Sequence, residues 1–337
     1  MRKMSVAGLC LALATVGLTG AETIAQAPIV PIGPDPDILS VQVLLDRLGF
    51  SSGVIDGRKG QPLRKALRGF QQARGIPITG MLDGATRELL KVHKDVPGVI
   101  EVMLTRDDLA GPFIGRLPSG YARQAKLPML GYQNRMEALA EKFHTTPHVL
   151  LALNSPSTLL APGLKIRVPN VVPDARAYPA DLTPEWRRTL ASLNVSSNQP
   201  RAARIIVDKS DKVLMVMDAA GQLVAQFPVT TGSRHDPLPL GRWKILGTAY
   251  NPPFHYNPDL FWDAGRRDSR QLLKPGPNGP VGVVWLDLSK PHYGIHGTPK
   301  PELIGRTESH GCIRLTNWDA ARLALMVKPG TPALFRA

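Results

Sequence analysis

Cysteine is scarce. The 337-residue chain holds two, Cys10 and Cys312, and Cys10 falls in an N-terminal stretch that reads as a removable signal. One remaining thiol excludes an internal disulfide. Aromatic residues make up only 6%. With 31 glycines and 32 prolines, this points to several small units joined by connecting segments. Beyond the N-terminus no apolar run is long enough to span a bilayer. Basic runs are missing too. The net charge is +14, yet Lys and Arg are scattered, with no basic helix and no aromatic-interleaved basic stretch, which argues against nucleic acid as a partner. Diffuse positive charge suits a surface rich in carboxylates and phosphates, such as a bacterial envelope.

The first residues set the expected compartment. Arg2 and Lys3 precede an apolar run, Ser5 to Leu18, and Thr19-Gly20-Ala21 offers small residues for cleavage. Residues 1–21 are therefore expected to be a signal peptide that directs the chain to the periplasm or cell envelope, leaving no spanning segment after removal. Residues 22–35, rich in Pro and Ala, read as a linker.

From Pro36 the spacing turns helical. Leu39, Val43, Leu44 and Leu48 form one stripe ended by Gly49; Pro62 opens a second helix carrying Leu63, Ala66, Leu67 and Phe70; Leu89 and Leu90 mark a third. Two Asp-Gly loops, Asp56-Gly57 and Asp83-Gly84, separate them and supply turn and cap chemistry. VQVLLDRLGF, GVIDGRKG, ALRGFQQARGI and TGMLDGATRELL together resemble the peptidoglycan-binding domain type 1 family over residues 36–92. The resemblance implies a three-helix bundle that binds wall glycan and peptide, or a spacer of that shape.

Residues 93–130, interrupted by prolines, read as a linker. MEALAEKFHTTPHVLLALN followed by LAPGLKIRVPN gives two helices and a strand over residues 131–172. These segments resemble the LysM family, which implies recognition of N-acetylglucosamine. His144 and His148 stand four apart, but Pro147 interrupts any shared helix, so no metal is expected there. Residues 173–201 read as a further linker with a short helix near Glu185–Leu193.

From Ala202 the pattern alternates as in strands: Ile205–Val207, Val213–Val216, Leu223–Phe227, Trp243–Ile245 and Gly282–Leu286. Residues 246–280 form a long insertion holding Tyr250, Phe254, Tyr256, Phe261 and Trp262. It reads either as a lid over a substrate or as a surface loop pinned by its own aromatics.

The chemistry concentrates between His292 and Asp319. A thiolate attacks acyl groups, and an adjacent imidazole can take its proton. Cys312 has His310 two residues before it and His296 sixteen residues before it. Gly311 and Cys312 offer backbone N–H groups for an oxyanion. A zinc site built from His296, His310 and Cys312 lacks a fourth ligand and has an unusual spacing, so no metal or other cofactor is expected. An inert buried cysteine is the other reading of a lone thiol, and the segment H-G-T…S-H-G-C-I-R-L is too specific for it.

That segment, with Thr230-Thr231-Gly232, Pro239–Trp243 and Gly276–Gly282, strongly resembles the L,D-transpeptidase (YkuD-type) catalytic domain over residues 202–337. The resemblance implies a mainly-β, sandwich-like catalytic domain. It implies Cys312 as nucleophile, His296 as general base and the Gly297 carbonyl as the group orienting the imidazole. His310, Ser309, Gly311 and Arg314 would then surround the substrate, with Arg314 pairing a substrate carboxylate or bracing its loop. The implied partners are peptidoglycan stem peptides and glycan, and carbapenem-type inhibitors would acylate Cys312. Fold class is thus multidomain α+β: a small three-helix bundle, a LysM-like α/β module and a mainly-β catalytic domain.

Overall fold

The computed structural model describes residues Gly33–Ala337, which form one compact unit. The expected signal peptide (1–21) and most of the linker after it lie outside the described residues.

Three helices come first: α1 (Pro36–Arg47), α2 (Gln61–Ala73) and α3 (Gly84–Lys91). Asp35 caps α1 by accepting from the N–H groups of Asp37 and Ile38, and Asp83 caps α3 through Thr86. Of the two Asp-Gly loops, Asp83 caps a helix, whereas Asp56 accepts from the Arg58 N–H within its turn and Gly60 precedes α2 without a side-chain cap. Gln42 ties the first loop to α1, exchanging hydrogen bonds with Asp56 and Gly57.

The segment 93–130 is not a linker. It contributes β1 (Val99–Met103) and a short helix, α4 (Tyr121–Gln124). After α5 (Arg135–Lys142) and α6 (Pro147–Leu153) comes β2 (Lys165–Pro169), which pairs antiparallel with β1 over its full length. The second module is therefore a strand–helix–helix–strand unit. Its opening strand, VIEVM, lies upstream of the expected boundary at residue 131, and residues 104–134 are inserted between that strand and α5. Val99, Ile100 and Val102 carry the β-branched signal; the prolines on either side obscured it.

Residues 173–201 are structural as well. Here α7 (Pro184–Ser192) sends Trp186 and Leu190 into the core of the last domain, joined by Leu193 and Val195. That domain contains β3 (Arg204–Asp208), β4 (Val213–Met217), β5 (Leu223–Pro228), β6 (Gly241–Tyr250), the hairpin β7 (Phe254–Tyr256) and β8 (Gln271–Leu273), β9 (Val284–Leu288), β10 (Gly294–His296), β11 (Ile313–Arg314), α8 (Asn317–Met326) and β12 (Pro332–Arg336). Eight strands form one mainly antiparallel sheet in the order β11-β10-β9-β6-β12-β3-β4-β5. The ten-residue β6 serves both halves. Gly241–Lys244 pair with β12, while Ile245–Tyr250 pair with β9 across a register shift between Ile245 and Gly247. Such an irregularity bends a strand, and it lets the sheet curl around Leu214, Val216, Phe227, Leu286, Ile295 and Trp318.

The N-terminal bundle covers the outer face of this sheet. All five residues of β4 are buried. Leu214 and Val216 face the inner core, whereas Val213, Met215 and Met217 pack with Phe50, Leu63, Leu67 and Phe70 of the bundle. Period-two geometry sends alternate side chains to opposite faces, so VLMVM needs apolar cover on both sides. The bundle also caps the exposed edge of β5: Gln226 exchanges backbone hydrogen bonds with Gly49 and Ser51, and its side chain donates to the Lys65 carbonyl.

A buried polar cluster joins all three modules. Arg322 on α8 donates twice to Asp46 on α1, at 2.9 and 2.7 Å. His144, after α5, sets Nδ1 3.1 Å from the same carboxylate and Nε2 2.8 Å from the Leu193 carbonyl, and stacks on Trp318 at 5.1 Å. Burial opposes ionisation of Asp46, but Arg322 and His144 win and hold its carboxyl well below the usual range. His144 is thus a structural junction; among the described residues no cluster of His, Cys, Asp and Glu could hold a metal.

Candidate active site

Two short parallel strands set the geometry. In β10 and β11, Ile295 pairs with Ile313 and His296 with Arg314. Side chains alternate along a strand, so His296 and Arg314 share a face. Cys312, one residue before β11, lies beside Gly294 on that same face. Between these strands the Thr298–Glu308 loop returns the chain, with a short 3-10 turn at Pro301–Leu303.

His296 is buried and tightly fixed. Its Nδ1 lies 2.7 Å from the Gly297 carbonyl, which accepts the Nδ1 proton and leaves Nε2 with its lone pair free. Trp285 stacks on the ring at 5.4 Å. Behind Gly297 stands the Asn317 side chain, whose Oδ1 would be 2.1 Å from a Cβ at that position. Asn317 Oδ1 accepts from the Val283 N–H, and its Nδ2 donates to Glu141 of α5 at 2.8 Å. Burial, then the nearby Arg314 charge, push His296 down to about 3.

The Cys312 thiol is half-buried and donates to the His292 carbonyl at 3.9 Å. Burial pushes the thiol up, while the Gly294 amide and Arg314 act in the opposite sense. Both shifts favour the uncharged forms, the thiol and the neutral imidazole. Gly311, at φ +99°, packs against Tyr293, and an added Cβ would sit 2.6 Å from the ring; glycine is required on both counts. The Gly311 and Cys312 N–H groups have no hydrogen-bond partner among the described residues. They are free to hold an oxyanion.

The other expected site residues separate into distinct places. Ser309 braces the loop: its Oγ donates to the Cys312 carbonyl at 2.6 Å, and its backbone pairs with Thr231 and Ser233. Residues 246–250 belong to β6 rather than to the insertion, which starts at Asn251; His310 is directed towards it, with Nε2 2.9 Å from Asp263 and the ring edge-on to Phe261 at 5.0 Å. The insertion is therefore docked on the site loop. Arg314 exchanges backbone hydrogen bonds with Thr230, yet its buried Nε has no partner. Sequence reasoning missed Trp285, Asn317, Glu141 and Tyr121. Thr316 or Asn317 reads as the cap of the last helix; Thr316 takes that role, which leaves Asn317 for the site, and Tyr121 lies in a segment read as a linker.

Comparisons with known proteins bear on the family of the chain. The profile of the L,D-transpeptidase catalytic domain matches residues 202–334, and that described as "Putative peptidoglycan binding domain" matches residues 34–90. A Bacillus licheniformis protein named "Putative L,D-transpeptidase YkuD" is 30% identical over 210 residues, covering 60% of this chain and 96% of that protein. Its Bacillus subtilis namesake is 56% identical over 55 residues, 16% of this chain and 34% of that one. The solved structure of an L,D-transpeptidase from Mycobacterium smegmatis aligns with TM-score 0.32 at 20% identity, over 40% of this chain and 58% of that one. Carried by its near full-length match to the Bacillus licheniformis relative, the chain belongs to the L,D-transpeptidase family.

Proposed function

We propose that the protein is a peptidoglycan L,D-transpeptidase in which Cys312 is the nucleophile and His296 the general base. The observation that carries this reading is the fixed imidazole: Nδ1 is bound to the Gly297 carbonyl at 2.7 Å, and the β10–β11 register brings Cys312 beside the same face. As Sγ attacks the carbonyl of the third residue of a tetrapeptide stem, His296 Nε2 takes the thiol proton. The tetrahedral oxyanion lies against the Gly311 and Cys312 N–H groups. Collapse breaks the peptide bond, the imidazolium protonates the leaving amine, and D-alanine departs. A thioester remains. The side-chain amine of a second stem then attacks the thioester, giving its proton to His296, and the thiol is regenerated with a 3→3 cross-link formed. Water in place of the amine gives carboxypeptidase activity.

Two further roles belong to this reading. The 36–92 bundle and the strand–helix–helix–strand unit hold wall peptide and glycan, the second in the manner of a LysM module. Residues 1–21 direct the chain to the envelope. Incubation with disaccharide-tetrapeptide, beside a Cys312→Ala control, tests the reaction. A dimer lacking one D-alanine, absent in the control, is expected; tripeptide without dimer supports hydrolysis, and no thiol-dependent product contradicts the proposal.

A further inference from the structure

Two cavities adjoin next to the active site, the inner one reaching Arg314. The inner one, about 210 Å³, is lined by Arg314, Thr230, Thr298 and Leu303, and the outer, about 850 Å³, by Arg116, Arg123, Gln124 and Gln133. Tyr121, Pro280, Pro299 and Lys300 line both, so they form one continuous cleft leading away from the strand that follows Cys312. Its outer wall is the 104–134 insertion of the second module. It is therefore built by chain outside the catalytic domain.

The lining is of one sign. Arg116, Arg123, Lys300 and Arg314 all face it, and no carboxylate does. Among the described residues none of the four enters an ion pair. Arg123 is held in place by Ser119, whose carbonyl accepts from Nε at 2.8 Å and whose Oγ accepts from a guanidinium nitrogen at 2.6 Å. The acid behind this wall, Glu137, already accepts from Gln133 and Asn278. At the inner end the buried Arg314 Nε lacks any partner, an arrangement that a bound acceptor would complete. A cleft with charge of one sign concentrates ligands of the other. Neutral sugar would leave these cations unused.

The wall is not a loose flap. Tyr121 packs at a tilt against Tyr256 of β7 at 4.4 Å, Tyr256 meets Phe261 at 5.3 Å, and Phe261 meets His310. The Leu130 N–H donates to the Pro275 carbonyl at 2.9 Å, and the Asn278 N–H to that of Leu130.

We infer that this cleft is a subsite for a peptide stem, binding its free carboxylates through Arg116, Arg123, Lys300 and Arg314. The inference rests on the transpeptidase reading and extends it: the second module selects stems with unblocked carboxylates. Donor and acceptor stems share that chemistry, and the kinetics separate them.

The test uses the full chain. Tetrapeptide stem and its fully amidated counterpart are titrated into Cys312→Ala, with and without Arg116→Ala/Arg123→Ala, after melting curves confirm folding. Amidation and the double substitution are each expected to weaken binding about tenfold, and together by much less than the product. Unchanged affinity on amidation, or in the double variant, overturns the inference. In the active chain, slower D-alanine release in the double variant assigns the cleft to the donor stem, and unchanged release with less dimer assigns it to the acceptor. This titration needs no turnover, so absence of product from the active chain would strike the proposed reaction while binding is read separately.

Discussion

The Nδ1 proton of His296 and the carbonyl of Gly297 lie within a single 2.7 Å contact, and Asn317 wedges that carbonyl's residue from behind. The imidazole therefore has one tautomer and one orientation before any substrate arrives. Preorganisation of this kind removes a reorientation step from the reaction.

The protonation states follow from the surroundings. Burial and Arg314 push His296 down to about 3, and burial favours the Cys312 thiol over its thiolate. Alkylation of Cys312 by iodoacetamide should rise steadily between about pH 6 and pH 9, with no step near the ordinary histidine value of about 6.5. Quantified adduct formation on the Cys312 peptide checks this. A plateau already reached by about pH 6 would instead reveal a thiolate–imidazolium pair.

Arg314 lowers both groups through its charge. Replacing it with Met should make His296 more basic and the thiol still harder to ionise. Losing a charge-assisted hydrogen bond worth about 1.5–3 kcal/mol should also raise KM for tetrapeptide by roughly tenfold or more. Steady-state kinetics and alkylation rates of Arg314→Met read the two effects apart.

Asp46 holds the modules together. Because its folded-state value is depressed, its stabilising contribution is complete above the unfolded value of about 4 and is lost as pH falls below that. Asp46→Ala removes the two hydrogen bonds of the buried Arg322, leaving it only Asp319 at 3.6 Å among the described residues, and should cost about 3–5 kcal/mol. Urea unfolding at about pH 7 measures the loss, which should shrink as the pH falls below about 4.

Glu141 has the opposite sign. Burial, the largest influence, raises it to about 7 despite the hydrogen bond from Asn317. The folded state then prefers the protonated form, so stability declines as pH rises from about 4.5 to about 7, by roughly 3 kcal/mol. Glu141→Gln keeps an acceptor for Asn317 and stays neutral throughout. Relative to the parent chain it should gain stability across that window and show no pH-dependent gain below it. A pH-independent difference would count against the raised value.

Removing residues 36–170 should damage the catalytic domain itself. Val213, Met215, Met217 and Leu223 lose their cover, at about 1.5–3 kcal/mol for each side chain, and Arg322 loses Asp46. A fall in Tm of more than about 10 °C, or aggregation, is expected. A soluble, monomeric remainder with unchanged Tm would mean that the modules do not support the catalytic domain.

Local signals in the sequence were read correctly. Leu63, Ala66, Leu67 and Phe70 lie on the buried face of α2, Gly75 stands just past its end at φ +66°, and the strand runs around Ile205, Val213 and Leu223 are β3, β4 and β5. Contacts between modules were not legible, because their partners are distant in the chain. Asp46 and Arg322 are 276 residues apart, and each reads alone as a charge on a solvated helix face. The clue that was present lay in β4, where VLMVM has no polar side to give to water. His310 shows the same limit within the site: its two-residue spacing from Cys312 permits contact without deciding it, and a loop with Gly311 at positive φ carries the ring to Asp263.

The most direct test of the central claim is the mass of the protein after brief mixing with disaccharide-tetrapeptide and acid quench. The account predicts an acyl adduct confined to the Cys312 peptide, formed together with free D-alanine, lost on incubation with an amine and absent from Cys312→Ala. Release of D-alanine by Cys312→Ala, or an adduct on any other residue, would contradict it.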